Sequence, residues 1–254
     1  PPVTLKRNTF NLPAWTIEDW SNYIETLSYT RTETSTSRSL VFQPDFVGFK
    51  GKSAIIQHLF MDSVRWNIKY NYITTAAEQT DGTNVLPSFN SDGYTLPNDT
   101  GGYANYSGRT YANWNWKAGG TAVSNSDGTL SATVSASTTS GFSIVEYTGV
   151  GAGNQSFGHG LGVAPQFVIT KIRDGSPAYN WNSYHIGLDA SSPENYYIAL
   201  DNTATRQSSV SLWQNTKPSS SVVYVGSHQA TSGASGEKMM AYCFAEVLGY
   251  SSFG

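Results

Sequence analysis

The sequence predicts an all-β protein: two tandem antiparallel β-sandwich modules, of jelly-roll kind, behind a short N-terminal helix. Three observations carry this. The first is an internal repeat. Leu40, Pro44, Phe46, Val47 and Lys50 recur as Leu161, Pro165, Phe167, Val168 and Lys171, each pair 121 residues apart. Ser28-Tyr29-Thr30 corresponds to Glu146-Tyr147-Thr148. Gly108 to Tyr111 and Trp114-Asn115-Trp116 correspond to Gly236 to Met239 and Tyr242-Cys243-Phe244, at an offset of 128. So small a drift in register marks two copies of one unit with loop insertions. The second observation is composition. Charged residues make up 13% of the 254 positions, with 24 Gly, 16 Tyr and 7 Trp; this suits short strands and polar turns better than helices. The third is the spacing of short apolar runs, without the alternation that βαβ units require. A propeller would need more copies of a shorter period.

Residues 1–27 read as an N-terminal arm and helix. Pro1, Pro2 and Pro13 keep the arm extended. Thr16-Ile17-Glu18-Asp19 has the form of a capping box, and Ile17, Trp20, Ile24 and Leu27 follow at helical spacing, so a helix is expected over 16–27. Trp15, Ile17, Trp20, Tyr23 and Ile24 are the candidate anchor to a larger assembly; packing on its own domain is the plainer use of such a helix. Module one is expected over 28–118, with strands at 46–49, 67–70, 93–96 and 110–116 and turns at Asp81-Gly82 and Asp92-Gly93. Residues 119–140 are rich in Gly, Ser and Thr and read as a connection with a hairpin of its own around Asn125-Ser126-Asp127-Gly128. Module two is expected over 141–254, with strands at 142–147, 166–173, 196–200, 208–213, 222–226 and 238–247 and a glycine-rich turn region over 149–162. The last of these strands alternates poorly, which predicts burial on both faces at a sheet centre.

Net charge is −3 and the basic residues are scattered, so no nucleic-acid partner is expected. The single cysteine, Cys243, excludes an intramolecular disulfide and a Cys-based zinc site, and its apolar surroundings predict a buried, inert thiol. No run approaches the ~20 apolar residues of a membrane helix, so membrane insertion is not expected. The start lacks the apolar core of a signal peptide.

Longer strings carry a resemblance. They include Asp62-Ser63-Val64-Arg65, Ser88 to Leu96, Tyr111 to Gly119, Gly141 to Val145, Gly158-His159-Gly160-Leu161-Gly162 and Ala241-Tyr242-Cys243-Phe244-Ala245-Glu246-Val247. In this order the chain resembles, over roughly 40–254, an uncharacterised repeated domain of virion proteins of tailed bacteriophages, particularly marine ones. The resemblance implies a structural or adhesive virion component with a concanavalin-like or laminin-G-like sandwich, and no catalytic residues. The chain departs from that pattern at 30–39, where Arg31-Thr32-Glu33-Thr34-Ser35 replaces a glycine-bearing loop kept at Gly149 to Gly153.

Catalytic patterns are weak. There is no Gly-x-Ser-x-Gly elbow, and His58, His159, His185 and His228 lack ligand spacing. His159, between two glycines, reads as a turn residue capping a strand end. A sandwich glycosidase would need two carboxylates on one cleft, and Glu146 and Glu246 are single acids in apolar strands. Asn90 to Gly93, Asn98-Asp99 and Asn125 to Gly128 have calcium-like composition, but Asx-Gly turns explain them, and no metal or other cofactor is expected. Surface aromatics are the better binding candidates, because sugar rings stack on Trp and Tyr while Asn fixes hydroxyls. Trp181 with Asn182 and Tyr184, and Tyr103 with Asn105 and Tyr106, have that character. The expectation is a non-enzymatic virion structural protein, assembled in the host cytoplasm. Its leading form is a tail-associated fibre or adhesin at the host surface; a capsid decoration protein and a polysaccharide-degrading enzyme are the alternatives. Expected partners are other virion proteins, further copies of the chain (a trimer would suit a fibre) and a host-surface glycan.

Overall fold

The structure is a computed structural model that describes residues 19–254 apart from 32–35, 66–68, 77–79, 82–87, 98, 100, 152 and 175–177. The fold is all-β, and every pairing between its named strands is antiparallel. The first half carries β1 (Ile24–Thr30), β2 (Thr36–Ser39), β3 (Phe46–Gly51), β4 (Leu59–Asp62), β5 (Lys69–Tyr72), β6 (Thr80–Asp81), β7 (Ser88–Asn90), β8 (Gly93–Leu96) and β9 (Thr110–Trp116). The second half carries β10 (Val123–Asn125), β11 (Ala132–Ser137), β12 (Phe142–Thr148), β13 (Gln155–Gly158), β14 (Phe167–Asp174), β15 (Asn182–His185), β16 (Tyr196–Ala199), β17 (Gln207–Ser208), β18 (Val222–Val225) and β19 (Lys238–Phe244), with a one-turn helix α1 (Gln229–Ser232).

The duplication is visible in strand order and in register. One sheet runs β1-β9-β3-β4-β5-β6; the other runs β10-β11-β12-β19-β14-β15-β16-β17, the same order with two strands added at one edge. Each is faced by a small sheet, β2-β8-β7 in the first half and β13-β18 in the second. Phe46 opposes Trp116 as Phe167 opposes Phe244, and Ile24 opposes Trp116 as Phe142 opposes Phe244. The offsets read from the sequence are therefore the pairing registers of equivalent strands.

Three apolar layers result, because the central strands β3, β4, β12, β14 and β19 carry apolar side chains on both faces. Val47, Phe49, Leu59 and Met61 pack with Tyr94 and Leu96 of the small first-half sheet. Val145, Val168, Met239, Ala241 and Cys243 pack with Phe157, Val223 and Val225 of the small second-half sheet. The alternate residues meet between the large sheets: Phe46 and Ala118 from the first half, Phe142, Ile144, Ile169, Trp181, Met240 and Tyr242 from the second. The two modules thus share a core, and β19 is buried on both faces as its poor alternation predicted.

Buried polar groups hold the corners. The Asp45 carboxylate accepts the Ala118 N–H at 2.8 Å, the Gly120 N–H at 3.2 Å and the Ser63 hydroxyl at 3.0 Å, which pins the start of the inter-module segment to β3. Burial pushes its protonation upward from the ordinary carboxylate range, against these donors. The β7–β8 hairpin turns at Ser91-Asp92, where Gly93 takes φ +140° and a side chain would meet the Arg38 carbonyl 1.8 Å away.

Four expectations need correction. The helix expected over 16–27 is, in its described part, a 3-10 turn at Trp20–Asn22 followed by strand β1; pairing with β9 wins over a helical spacing that four apolar residues met by coincidence. The segment 119–140 does hold a hairpin, but β10 and β11 belong to the second large sheet, where β11 pairs along β12. The strand expected at 208–213 ends at Ser208, and the glycine-rich region 149–162 contains strand β13. Trp15, Ile17 and the departure at 32–35 lie outside the described residues.

Candidate functional site, an aromatic groove between the modules

Where the two large sheets meet at one end, they leave an apolar groove of about 580 Å³. Phe46, at the start of β3, forms its floor. Its ring makes edge contacts with Phe60 and Tyr242 at 4.8 Å and with Trp116 at 5.3 Å. Phe142, Phe244 and Phe167 form a stacked row, with centroids 4.8 and 5.5 Å apart. Such ring pairs add packing energy beyond the area they bury. The rim comes from two segments far apart in the sequence: Trp20 and Ile24, and Tyr250, Ser251 and Phe253. Trp20 is 60% exposed, a large apolar side chain held at the mouth of an apolar cleft.

A fully buried ion pair backs the groove. Arg65 Nε donates to Asp62 Oδ2 at 2.6 Å, and both side chains are wholly inaccessible. Arg65 Nη2 donates to the Tyr242 hydroxyl at 3.0 Å and to the Phe60 carbonyl at 3.2 Å, and Nη1 donates to Asn71 Oδ1. Tyr242 in turn donates to Asp62 Oδ2 at 2.7 Å, so this pair from the first module is completed from the second. Burial holds the Tyr242 phenol well above its ordinary range, so it stays a neutral donor. The Cys243 thiol faces the opposite layer, where burial pushes it up to about 12 and leaves it unreactive.

The residues singled out from sequence divide sharply. Of the candidate anchor set, Trp20 and Ile24 line the groove, while Tyr23 sits beneath the Lys117 ammonium, 5.9 Å from its ring. Most of the candidate glycan set is overturned as a surface. Trp181 is 0% exposed and its indole N–H donates to the Tyr72 carbonyl at 2.9 Å, tying the modules together. Asn182 and Tyr184 are buried in the second module, and Asn105 is buried with its amide on the Pro97 carbonyl at 2.6 Å. Trp181, Asn182 and Tyr184 lie inside because the second large sheet is covered on both faces around β15, and Asn105 because the β8–β9 loop folds over it. Tyr103 is half-buried against Tyr72, and Tyr106 is 41% exposed with the Arg109 guanidinium 4.4 Å above its ring.

The chemistry-bearing groups are engaged structurally. His159 is buried; Nδ1 accepts the Leu161 N–H and Nε2 faces the Ser219 carbonyl, both at 3.2 Å, at the end of β13 as its turn reading predicted. His185 and His228 accept N–H groups at the starts of short helical turns. Glu146 binds Arg173, and Glu246 accepts from Gln166 at 3.1 Å. Asn125 forms the expected Asx turn with Asp127 at 3.0 Å. Among the described residues no cluster of three or more His, Cys, Asp or Glu side chains is placed to hold a metal, and no helix is long and apolar enough to cross a membrane.

Duplicated sheets fused through a shared aromatic layer, with a groove at their junction, define an all-β repeat protein. The chain belongs to a family described as a domain of unknown function, DUF7483, which it matches over residues 19–254. No curated protein and no solved structure matches it.

Proposed function

We propose that this chain is a non-enzymatic structural protein of a virion, in a tail-associated attachment role, and that it is seated on a neighbouring virion protein through the aromatic groove. The observation that carries this reading is the groove itself. It is apolar, concave and built jointly by both modules, and its rim holds the exposed indole of Trp20, one of the side chains expected to anchor the chain. Its dimensions and lining suit an apolar or aromatic side chain from a partner, in the manner of interface anchors. The resemblance to repeated virion domains supplies the setting.

The arrangement of acids supports a non-catalytic role. Glu146 lies opposite Met240 on β19, and Glu246 lies six residues further along that chain. β19 covers four of those six residues, to Phe244, and at about 3.3 Å per residue this alone is roughly 13 Å, beyond the ~5–9.5 Å that separates paired glycosidase carboxylates.

Gold-labelled antibody on intact particles tests the setting, and Trp20→Ala tests the groove. Label is expected at the tail; label around the head would replace attachment with decoration, and particles without label would overturn the virion reading. Trp20→Ala should fold with unchanged thermal stability, since its side chain is exposed, yet fail to be incorporated. Normal incorporation of the variant would refute docking through the groove.

A further inference from the structure

The internal repeat supplies its own control for a second site. In the second module two cations project from β14 toward the inter-module side. Lys171 is buried, with Nζ donating to the Ala76 and Tyr179 carbonyls at 2.9 and 3.0 Å. Arg173 binds Glu146 on β12. Their counterparts in the first module, 121 residues earlier, are Lys50 and Lys52. Ser28 stands where Glu146 does: it is paired with Ala112, as is Lys50, just as Glu146 and Lys171 are both paired with Met240. The first module therefore keeps both cations and lacks the carboxylate. Lys52 Nζ donates to the Ser28 hydroxyl at 3.1 Å, and Lys50 Nζ donates to His58 Nε2 at 2.7 Å.

Lys50, Lys52 and His58 line an open notch of about 670 Å³ at the exposed end of the first large sheet, together with Ser53, Gln57 and Thr74, and Ser28 adjoins it through Lys52. No Asp or Glu lines it, and among the described residues no carboxylate pairs with either lysine. Two ammonium groups, an imidazole and hydroxyl donors converge with no counter-charge among the described residues, in a chain whose net charge is −3.

We propose that this notch binds an oxyanion, the sulfate, phosphate or carboxylate group of an acidic polysaccharide. The bound oxygens take the place of the Glu146 carboxylate, accepting from Lys50, Lys52 and the nearby hydroxyls. The anion chemistry follows from the comparison of the two modules. That a host-surface polysaccharide bears the anion rests on the attachment reading.

The test is titration of the whole protein at low ionic strength with a short dextran sulfate oligomer, against neutral dextran of the same length. The sulfated oligomer should bind and the neutral one should not, and inorganic sulfate should compete. Lys50→Ala and Lys52→Ala should each weaken binding about tenfold, the loss of one charge-assisted hydrogen bond. Ser28→Glu should weaken it similarly, by giving Lys52 the internal partner that Arg173 has. All three positions are exposed, so unchanged thermal stability certifies folding. Equal binding of charged and neutral oligomers, no competition by sulfate, or full affinity in the double lysine variant would overturn the site. Unlabelled particles would remove the attachment reading and leave this measurement standing.

Discussion

Replacing Arg65 by Met should be among the most damaging single changes in the molecule. The side chains of Arg65 and Asp62 are both fully inaccessible, and the arginine makes the 2.6 Å bond to the carboxylate and the 3.0 Å bond to Tyr242. Methionine fills nearly the same volume, so little of the loss comes from a cavity. What remains is a carboxylate inside an aromatic layer, held by the Tyr242 hydroxyl at 2.7 Å and the residue-65 backbone N–H at 2.9 Å. An uncompensated buried charge of this kind costs about 3–5 kcal/mol. That is a large share of the ~5–15 kcal/mol that holds a domain folded. Equilibrium unfolding in guanidinium chloride, followed by tryptophan fluorescence, reads it as a lower midpoint. The double variant Asp62→Leu with Arg65→Met removes both charges and the need to desolvate them, and should recover most of the loss. A single-variant cost under about 1 kcal/mol would refute the reasoning, since it would mean that water or another cation reaches the carboxylate. A double variant as unstable as the single would refute it equally, by showing that packing rather than charge was lost.

Two further predictions use the same unfolding assay. Trp181→Ala should cost about 3–5 kcal/mol through the void left in the shared layer, and Trp181→Phe less; stability unchanged in both would contradict the burial of this indole. Burial lowers the His159 pKa from its ordinary value near 6.5, so the unfolded chain takes up the proton first as pH falls. Stability should therefore decline below about pH 6.5, and His159→Gln should flatten part of that slope; identical slopes in variant and parent would rule this contribution out. His58, also lowered by burial and then by Lys50, adds to the slope with the same sign and remains in the variant.

Much of the architecture was legible along the chain, for an identifiable reason. Equivalent strands keep the same pairing partners, so Phe46 and Phe167, or Trp116 and Phe244, recur at constant offsets whether or not the fold is seen. The apolar run Met239–Phe244 announced a strand covered on both sides. Strand β1 misled because Trp20, Ile24 and Leu27 satisfy a helical period, whereas its pairing partners lie 80 to 92 residues away on β9, from Thr30↔Thr110 to Ile24↔Trp116, beyond any local pattern. The site was half legible: Trp20 and Ile24 were marked as anchors, but the rim from Tyr250 to Phe253 and the floor at Phe46 come together only across the module junction.

By itself the sequence determined the duplication, the strand-rich class and the registers that follow from repeated spacing, because these depend on residue order alone. Only the tertiary structure decided which aromatic side chains are surface and which are core. Trp181-Asn182 and Tyr106 read alike in one dimension, yet the first pair lies sealed between sheets and the last faces solvent. It also decided which cations are satisfied. Lys171 and Lys50 are equivalent in the repeat, but one is enclosed by a carbonyl from each half of the chain, those of Ala76 and Tyr179, and the other opens onto a notch. Both outcomes turn on how one large sheet covers the other, a property of packing between strands far apart in the chain.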